Sequence, residues 1–153
     1  MGRRVVLGVG NLLLRDEGVG IHVIKALEGY EFPPEVEVID GATAGCDMMP
    51  LISGAERVVI VDALQGGESP GAVYRLSPQD FKQHYDSAPV SLHDLGIMDT
   101  LRMLELMDGH IPPVVIIGVE PGKIELGLEL TAEVAASLPF ILDLVKKEIV
   151  SQA

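Results

Sequence analysis

Apolar residues fall in two patterns along this chain, short uninterrupted runs and helical stripes, and the two alternate. Arg3 to Gly8 is a valine-rich run ending in glycines, the mark of a buried strand that opens into a loop. From Gly18 the period becomes helical. Val19, Val23, Ile24, Leu27 and Tyr30 share one face, and Gly29 with Pro33-Pro34 closes the segment. Val36 to Asp40 is a second strand, followed by the small-residue loop GATAG, and Asp47 is placed to cap a short helix through Ile52. Arg57 to Asp62 is a third strand, apolar from Val58 to Val61 and therefore central.

Gln65 to Gly71 is turn-rich, and Ala72 to Leu76 alternates weakly, as an edge strand does. Ser91 and Asp94 have capping-box spacing ahead of Ile97, Met98, Leu101, Leu104 and Met107, which predicts a long helix with His93 in its first turn. Val114 to Val119 is a further buried strand, and Thr131 stands where it caps a C-terminal helix that Pro139 kinks or divides. Strands alternating with helices predict an α/β fold, a three-layer α/β/α sandwich around a mostly parallel, twisted sheet. No repeat, low-complexity tract or linker interrupts residues 1–153, so one domain is expected.

Composition narrows the partners. Eleven basic against 23 acidic side chains leave a net charge of −12 with histidine neutral. Such a field repels phosphate backbones and anionic lipid, so neither nucleic acid nor a membrane surface is expected as a partner. The single cysteine, Cys46, excludes an internal disulfide and a cysteine cluster and suits the cytoplasm. The apolar runs are strand-length, too short to cross a bilayer. Two arginines before an apolar stretch imitate a signal peptide at the start, but glycines and Asn11 interrupt that stretch and Arg15-Asp16-Glu17 follow it.

Candidate chemistry sits at the strand ends. In an open parallel sheet, ligands bind beyond the carboxyl ends of the strands. Glu17 follows the first strand, Asp62 ends the third, and His93 opens the long helix. Each has a plain structural role available: an acidic residue at a helix's positive end, a polar strand terminus, a satisfied histidine. Together they make a mixed oxygen and nitrogen set suited to a divalent transition metal. Gly8-Val9-Gly10 does not complete a dinucleotide fingerprint, since Leu13 stands where the third glycine belongs. Gly18 and Gly20 either admit a partner backbone close to Glu17 or give a flexible entry to the helix. Asp40 and Glu120 also end strands and are candidates for hydrogen bonds behind the site, with structural roles equally open. His22, His84 and His110 read as surface or structural residues, and Cys46 lacks a base nearby in sequence.

GVGNLLLRDEGVG (8–20), DGATAG (40–45), VVIVDAL (58–64), SLHDLG (91–96) and IIGVEPG (116–122) occur in an order and spacing that resembles the hydrogenase maturation endopeptidases. The likeness runs from about residue 4 to residue 145. It implies a phosphorylase/hydrolase-like sandwich. It also implies a protease that removes the C-terminal extension of a [NiFe] hydrogenase large-subunit precursor, cutting after a Cys-x-x-Cys-x-x-His/Arg motif once nickel is in place. The family's metal-contacting positions correspond to Glu17, Asp62 and His93, which would act in catalysis and contact nickel, that of the substrate or another divalent metal. The metal would report loading, polarise the scissile carbonyl or activate water. A monomer is expected. Two alternatives remain open here: a nickel-dependent chaperone that holds the precursor without cutting it, and a peptidyl-tRNA hydrolase-like enzyme, which the acidic charge disfavours.

Overall fold

Five strands form one sheet in the order β2-β1-β3-β5-β4, and all neighbours run parallel except β4 against β5. This computed structural model describes residues 2–42, 48–87 and 92–152, apart from the side chains of residues 84–87 and 92–95. The strands are β1 (Arg4–Val9), β2 (Val36–Ala42), β3 (Arg57–Ala63), β4 (Val73–Leu76) and β5 (Val114–Val119). The helices are α1 (Val19–Ala26), α2 (Met48–Ile52), α3 (Pro78–Ser87), α4 (Leu92–Asp108) and α5 (Ala132–Val150), with a 3-10 turn at Arg15–Gly18.

Every residue of β1, β3 and β5 is buried, as expected for parallel strands covered on both faces. Successive side chains along these strands enter opposite halves of the core. Leu7, Ile60 and Ile116 face α2, α3 and α4 through Met48, Phe81, Ile97 and Leu104. Val6, Val59 and Ile117 face α1 and α5 through Val23, Ile141 and Val145. The three-layer α/β/α sandwich is therefore present. β4 lies at an edge, where its weak alternation places it.

Some expectations are corrected. Tyr30 falls beyond α1 and is 48% exposed, packing edge-on against Phe32 with ring centroids 4.6 Å apart. Met107, 68% exposed, leaves the buried stripe of α4 formed by Ile97, Met98, Leu101 and Leu104. Pro139 does not divide α5. That helix runs through it because Val134, Ile141, Val145 and Ile149 dock it on the sheet on both sides of the proline. Helix α3 occupies a polar stretch for which the hydrophobic pattern predicts no element, although its start is written in the sequence. Ser77 Oγ accepts the Asp80 N–H at 3.1 Å and Asp80 Oδ2 accepts the Ser77 N–H at 3.1 Å, with Pro78 as the first helical residue.

From β1 the chain passes through α1 to β2 on one side, and it returns through α2 to β3 on the other. The strand order thus reverses between β1 and β3, which opens a crevice at their carboxyl ends.

Candidate functional site

Glu17 stays at the carboxyl end of the sheet because the chain leaving β1 closes on itself. Asn11 Oδ1 accepts the Leu13 N–H at 3.0 Å, and Asn11 O accepts the Leu14 N–H at 3.1 Å. The Asn11 N–H donates to Glu17 O at 3.2 Å, and the Glu17 N–H donates to Leu14 O at 3.1 Å. Gly10 makes that closure possible. Its φ is +140°, and a Cβ there would stand 2.2 Å from Glu17 O. Arg15 adopts a left-handed φ of 49° and is held by Gly127 O on its N–H and by Glu129 O on its Nε, each at 3.0 Å.

Asp16, fully buried, anchors this loop to the other end of the chain. Its Oδ2 accepts the N–H of Gly122 at 2.7 Å, the N–H of Lys123 at 3.0 Å and the Thr131 hydroxyl at 2.7 Å. Its Oδ1 accepts the Thr131 N–H at 2.8 Å. Burial pushes the Asp16 carboxyl up, but these hydrogen bonds outweigh burial and hold it below the usual carboxylate value. Thr131 does occupy the N-cap position of α5, yet its side chain makes no cap hydrogen bond and turns to Asp16. The pair was legible only as two separate helix-end residues. Glu17, beside this anchor, is 8% exposed.

Asp62 is the last residue but one of β3, opposite Gly118 of β5, and is 2% exposed. Its Oδ1 accepts the following Ala63 N–H at 2.8 Å. The turn bearing Glu17 packs against β3, so both residues stand at the carboxyl end of the sheet, on elements that meet beside the crevice between β1 and β3. Gly20 allows this closeness, since a Cβ there would lie 2.3 Å from both Val9 O and Val61 O. The backbone admitted by this glycine is the chain's own.

His93 is the second residue of α4, in its first turn, as its sequence predicts. Its side chain lies outside the described residues, as do Cys46, Asp47, Ser91 and the side chain of His84. Among the described residues no third histidine, cysteine or acidic side chain completes a metal-holding group with Glu17 and Asp62.

The remaining strand-end acids take structural roles. Asp40 is exposed, and its Oδ1 accepts the Ala42 N–H at 2.9 Å. Glu120 is buried, and its Oε1 accepts the N–H of Gly66 at 2.9 Å, the N–H of Glu68 at 3.1 Å and the Tyr74 hydroxyl at 2.5 Å. It holds the loop that follows β3. His22 is half-buried on α1, where burial above all depresses its pKa. His110 is exposed, with Nδ1 3.1 Å from Asp108 O. In chemical terms, Glu17 and Asp62 are two nearly water-free carboxyl-bearing residues on neighbouring elements. Such a pair can bind a divalent cation or divide into an acid and a base.

Comparison with known proteins agrees with this architecture. A family model described as hydrogenase maturation protease matches residues 21–148. The hydrogenase 2 maturation protease of Escherichia coli (strain K12) is 33% identical over 138 residues, which are 89% of this chain and 84% of that protein. The hydrogenase expression/formation protein HupD of Rhodobacter capsulatus is 32% identical over 143 residues, 92% of this chain and 68% of that one. The solved structure of the hydrogenase maturating endopeptidase HybD from E. coli superposes with a TM-score of 0.84 at 34% identity, covering 94% of this chain and 89% of that chain. The [NiFe] hydrogenase maturation protease HybD from Thermococcus kodakarensis superposes with a TM-score of 0.81 at 27% identity, covering 96% and 99%. A shared sandwich and a match along most of the sequence have one reading: the chain belongs to the hydrogenase maturation protease family.

Proposed function

We propose that this protein is the endopeptidase that removes the C-terminal extension of a [NiFe] hydrogenase large-subunit precursor after nickel insertion. The observation that supports the reading is the placement of Glu17 and Asp62, both buried, on two packed elements at the carboxyl end of the sheet, where the strand order reverses. His93, on the first turn of α4, is the third member of the set. The nickel held by the precursor's cysteines is part of the substrate. Glu17, Asp62 and His93 offer it two oxygen donors and one nitrogen donor, a combination that suits a borderline divalent ion. One set of side chains then both senses the loaded metal and orients the scissile peptide beside it. The protein acts as a monomer in the cytoplasm, and no described helix is long and apolar enough to cross a membrane.

Incubation with nickel-loaded and nickel-free precursor tests the reading. The loaded form should be shortened and the nickel-free form should stay intact. Equal cleavage of both removes nickel recognition from the proposal, and a stable complex with no product removes the protease activity.

A further inference from the structure

Of the two sheet edges, β2 ends beside the loop that carries Glu17, where the Gly10 N–H donates to Ala42 O at 2.7 Å. The ladder from β2 to β1 uses the main-chain groups of alternate residues, beginning with Arg4 N–H to Glu35 O at 2.8 Å. In a parallel pair the intervening residues turn their N–H and C=O groups the other way. Val36, which donates to Pro33 O at 3.0 Å, Val38 and Asp40 are those residues. Val38 and Asp40 therefore present main-chain groups to the outer edge, where no strand pairs among the described residues.

A groove of about 660 Å³ follows this same edge, lined by Phe32, Val36 and Val38 and by the carboxylates of Glu28, Glu31 and Asp40. Among the described residues no lysine or arginine is in its lining, and Lys146 Nζ stands over the ring of the lining residue Tyr30, 4.1 Å from its centroid. A second cavity of about 440 Å³ shares Asp40 and continues past Asn11, Leu12 and Leu13 into the loop that carries Glu17. Strand edge, apolar groove and the loop that leads to Glu17 thus follow one another along the β2 side of the sheet, with Asp40 in the lining of both cavities.

We propose that this track docks an extended, Lys- or Arg-bearing segment of the polypeptide to be cut, which adds to β2 as a strand through Val38 and Asp40 and passes Leu12 and Leu13 on its way to Glu17 and Asp62. Main-chain hydrogen bonds supply the hold, and the apolar wall of Phe32, Val36 and Val38 takes alternate side chains. Charge selects the occupant. A second copy of this chain carries −12 and the same glutamates, so it is repelled, whereas a basic segment is drawn in. The inference rests on the protease reading and adds to it the character of the substrate segment and its path.

The test is the KM of the full-length protein for nickel-loaded precursor. The double variant Glu28→Lys/Glu31→Lys, both positions exposed and remote from the crevice carboxylates, should raise KM roughly fivefold and flatten its dependence on salt. Val38→Pro deletes one outward N–H and no ladder bond, a change that an edge strand tolerates, and should raise KM with an unaltered circular dichroism spectrum. A native KM in the double variant, with the precursor cut normally, overturns edge docking and leaves the protease reading standing. Failure of the native protein to cut the precursor overturns both. If the glutamate changes alter only the sedimentation of the protein alone, the track belongs to a second copy and the proposal falls.

Discussion

Thr131 gives both of its hydrogen-bond donors to Asp16, the main-chain N–H at 2.8 Å and the hydroxyl at 2.7 Å. With the N–H groups of Gly122 and Lys123, the Asp16 carboxylate stitches the first loop to the segment before α5. Asp16→Asn replaces one acceptor oxygen by a donor that meets N–H and O–H groups already pointing inward. It should cost about 2–4 kcal/mol in urea unfolding, and it should slow precursor cleavage because Glu17 is the next residue. The Asp16 carboxyl is held below its ordinary value of 3.8. Its stabilisation is therefore fully present above that pH and is lost as pH falls through the depressed value. Asp16→Asn should flatten the acid limb of the stability curve; an unchanged limb removes the role assigned to this anchor.

Glu17→Gln and Asp62→Asn keep size and hydrogen bonding but remove charge, and His93→Ala removes a nitrogen donor from a first helical turn. All three should fold, as circular dichroism reports, and lose precursor processing. Asp62→Asn retains an oxygen for the Ala63 N–H, which protects the end of β3. Val59→Asp should instead fail to fold, since it buries an unpaired carboxylate in a central strand at a fully buried position. Native processing rates in His93→Ala and Asp62→Asn would take the active site elsewhere.

At the amino end of the sheet, Glu148 lies between two arginines. Arg57 Nη2 donates to Oε1 at 2.9 Å, and Arg75 Nε donates to Oε2 at 2.7 Å. The bond from Arg75 is the main cause that holds the Glu148 carboxyl below its usual value, against the upward push of burial. Arg57 is 4% exposed, so Glu148→Ala removes the carboxylate that balances a buried guanidinium, leaves it the main-chain carbonyl of residue 148, and should cost about 3 kcal/mol in chemical denaturation. Precursor processing per folded molecule should survive, because the crevice lies at the opposite ends of the strands. A proportionate loss of specific activity contradicts that separation.

Burial first, and then the hydrogen bond to Glu120, push the Tyr74 phenol up to about 12. A raised phenol favours the neutral form in the folded state. Its contribution is present up to the ordinary value of 10.0 and is lost as pH rises from there through about 12. Near-ultraviolet titration of the folded protein should show a late-ionising phase from Tyr74, and Tyr74→Phe should remove that phase while leaving Glu120 bound to the N–H groups of Gly66 and Glu68. A late phase that persists in Tyr74→Phe assigns it to another tyrosine.

Hydrophobic period alone determined the five strands, the stripe of α1 through Val19, Val23, Ile24 and Leu27, and the burial of Val58 to Val61. Period is a local property, written within a few residues, so it survives without knowledge of the neighbours. The same pattern placed Glu17 and Asp62 after strand ends and marked β3 as central and β4 as an edge, whereas the order of the strands came only from the assembled sheet. Tertiary structure decided what local pattern does not contain. Asp16 reads as one of two acids ahead of a helix, but its partners lie 106, 107 and 115 residues away. Glu120 reads as a candidate behind the site, and packing turned it towards Gly66, Glu68 and Tyr74. Pro139 reads as a break, and burial of the stripe on either side of it kept α5 whole. In each case a buried polar group or a costly residue found its compensation from a distant segment, and only the assembled sheet brings those segments together.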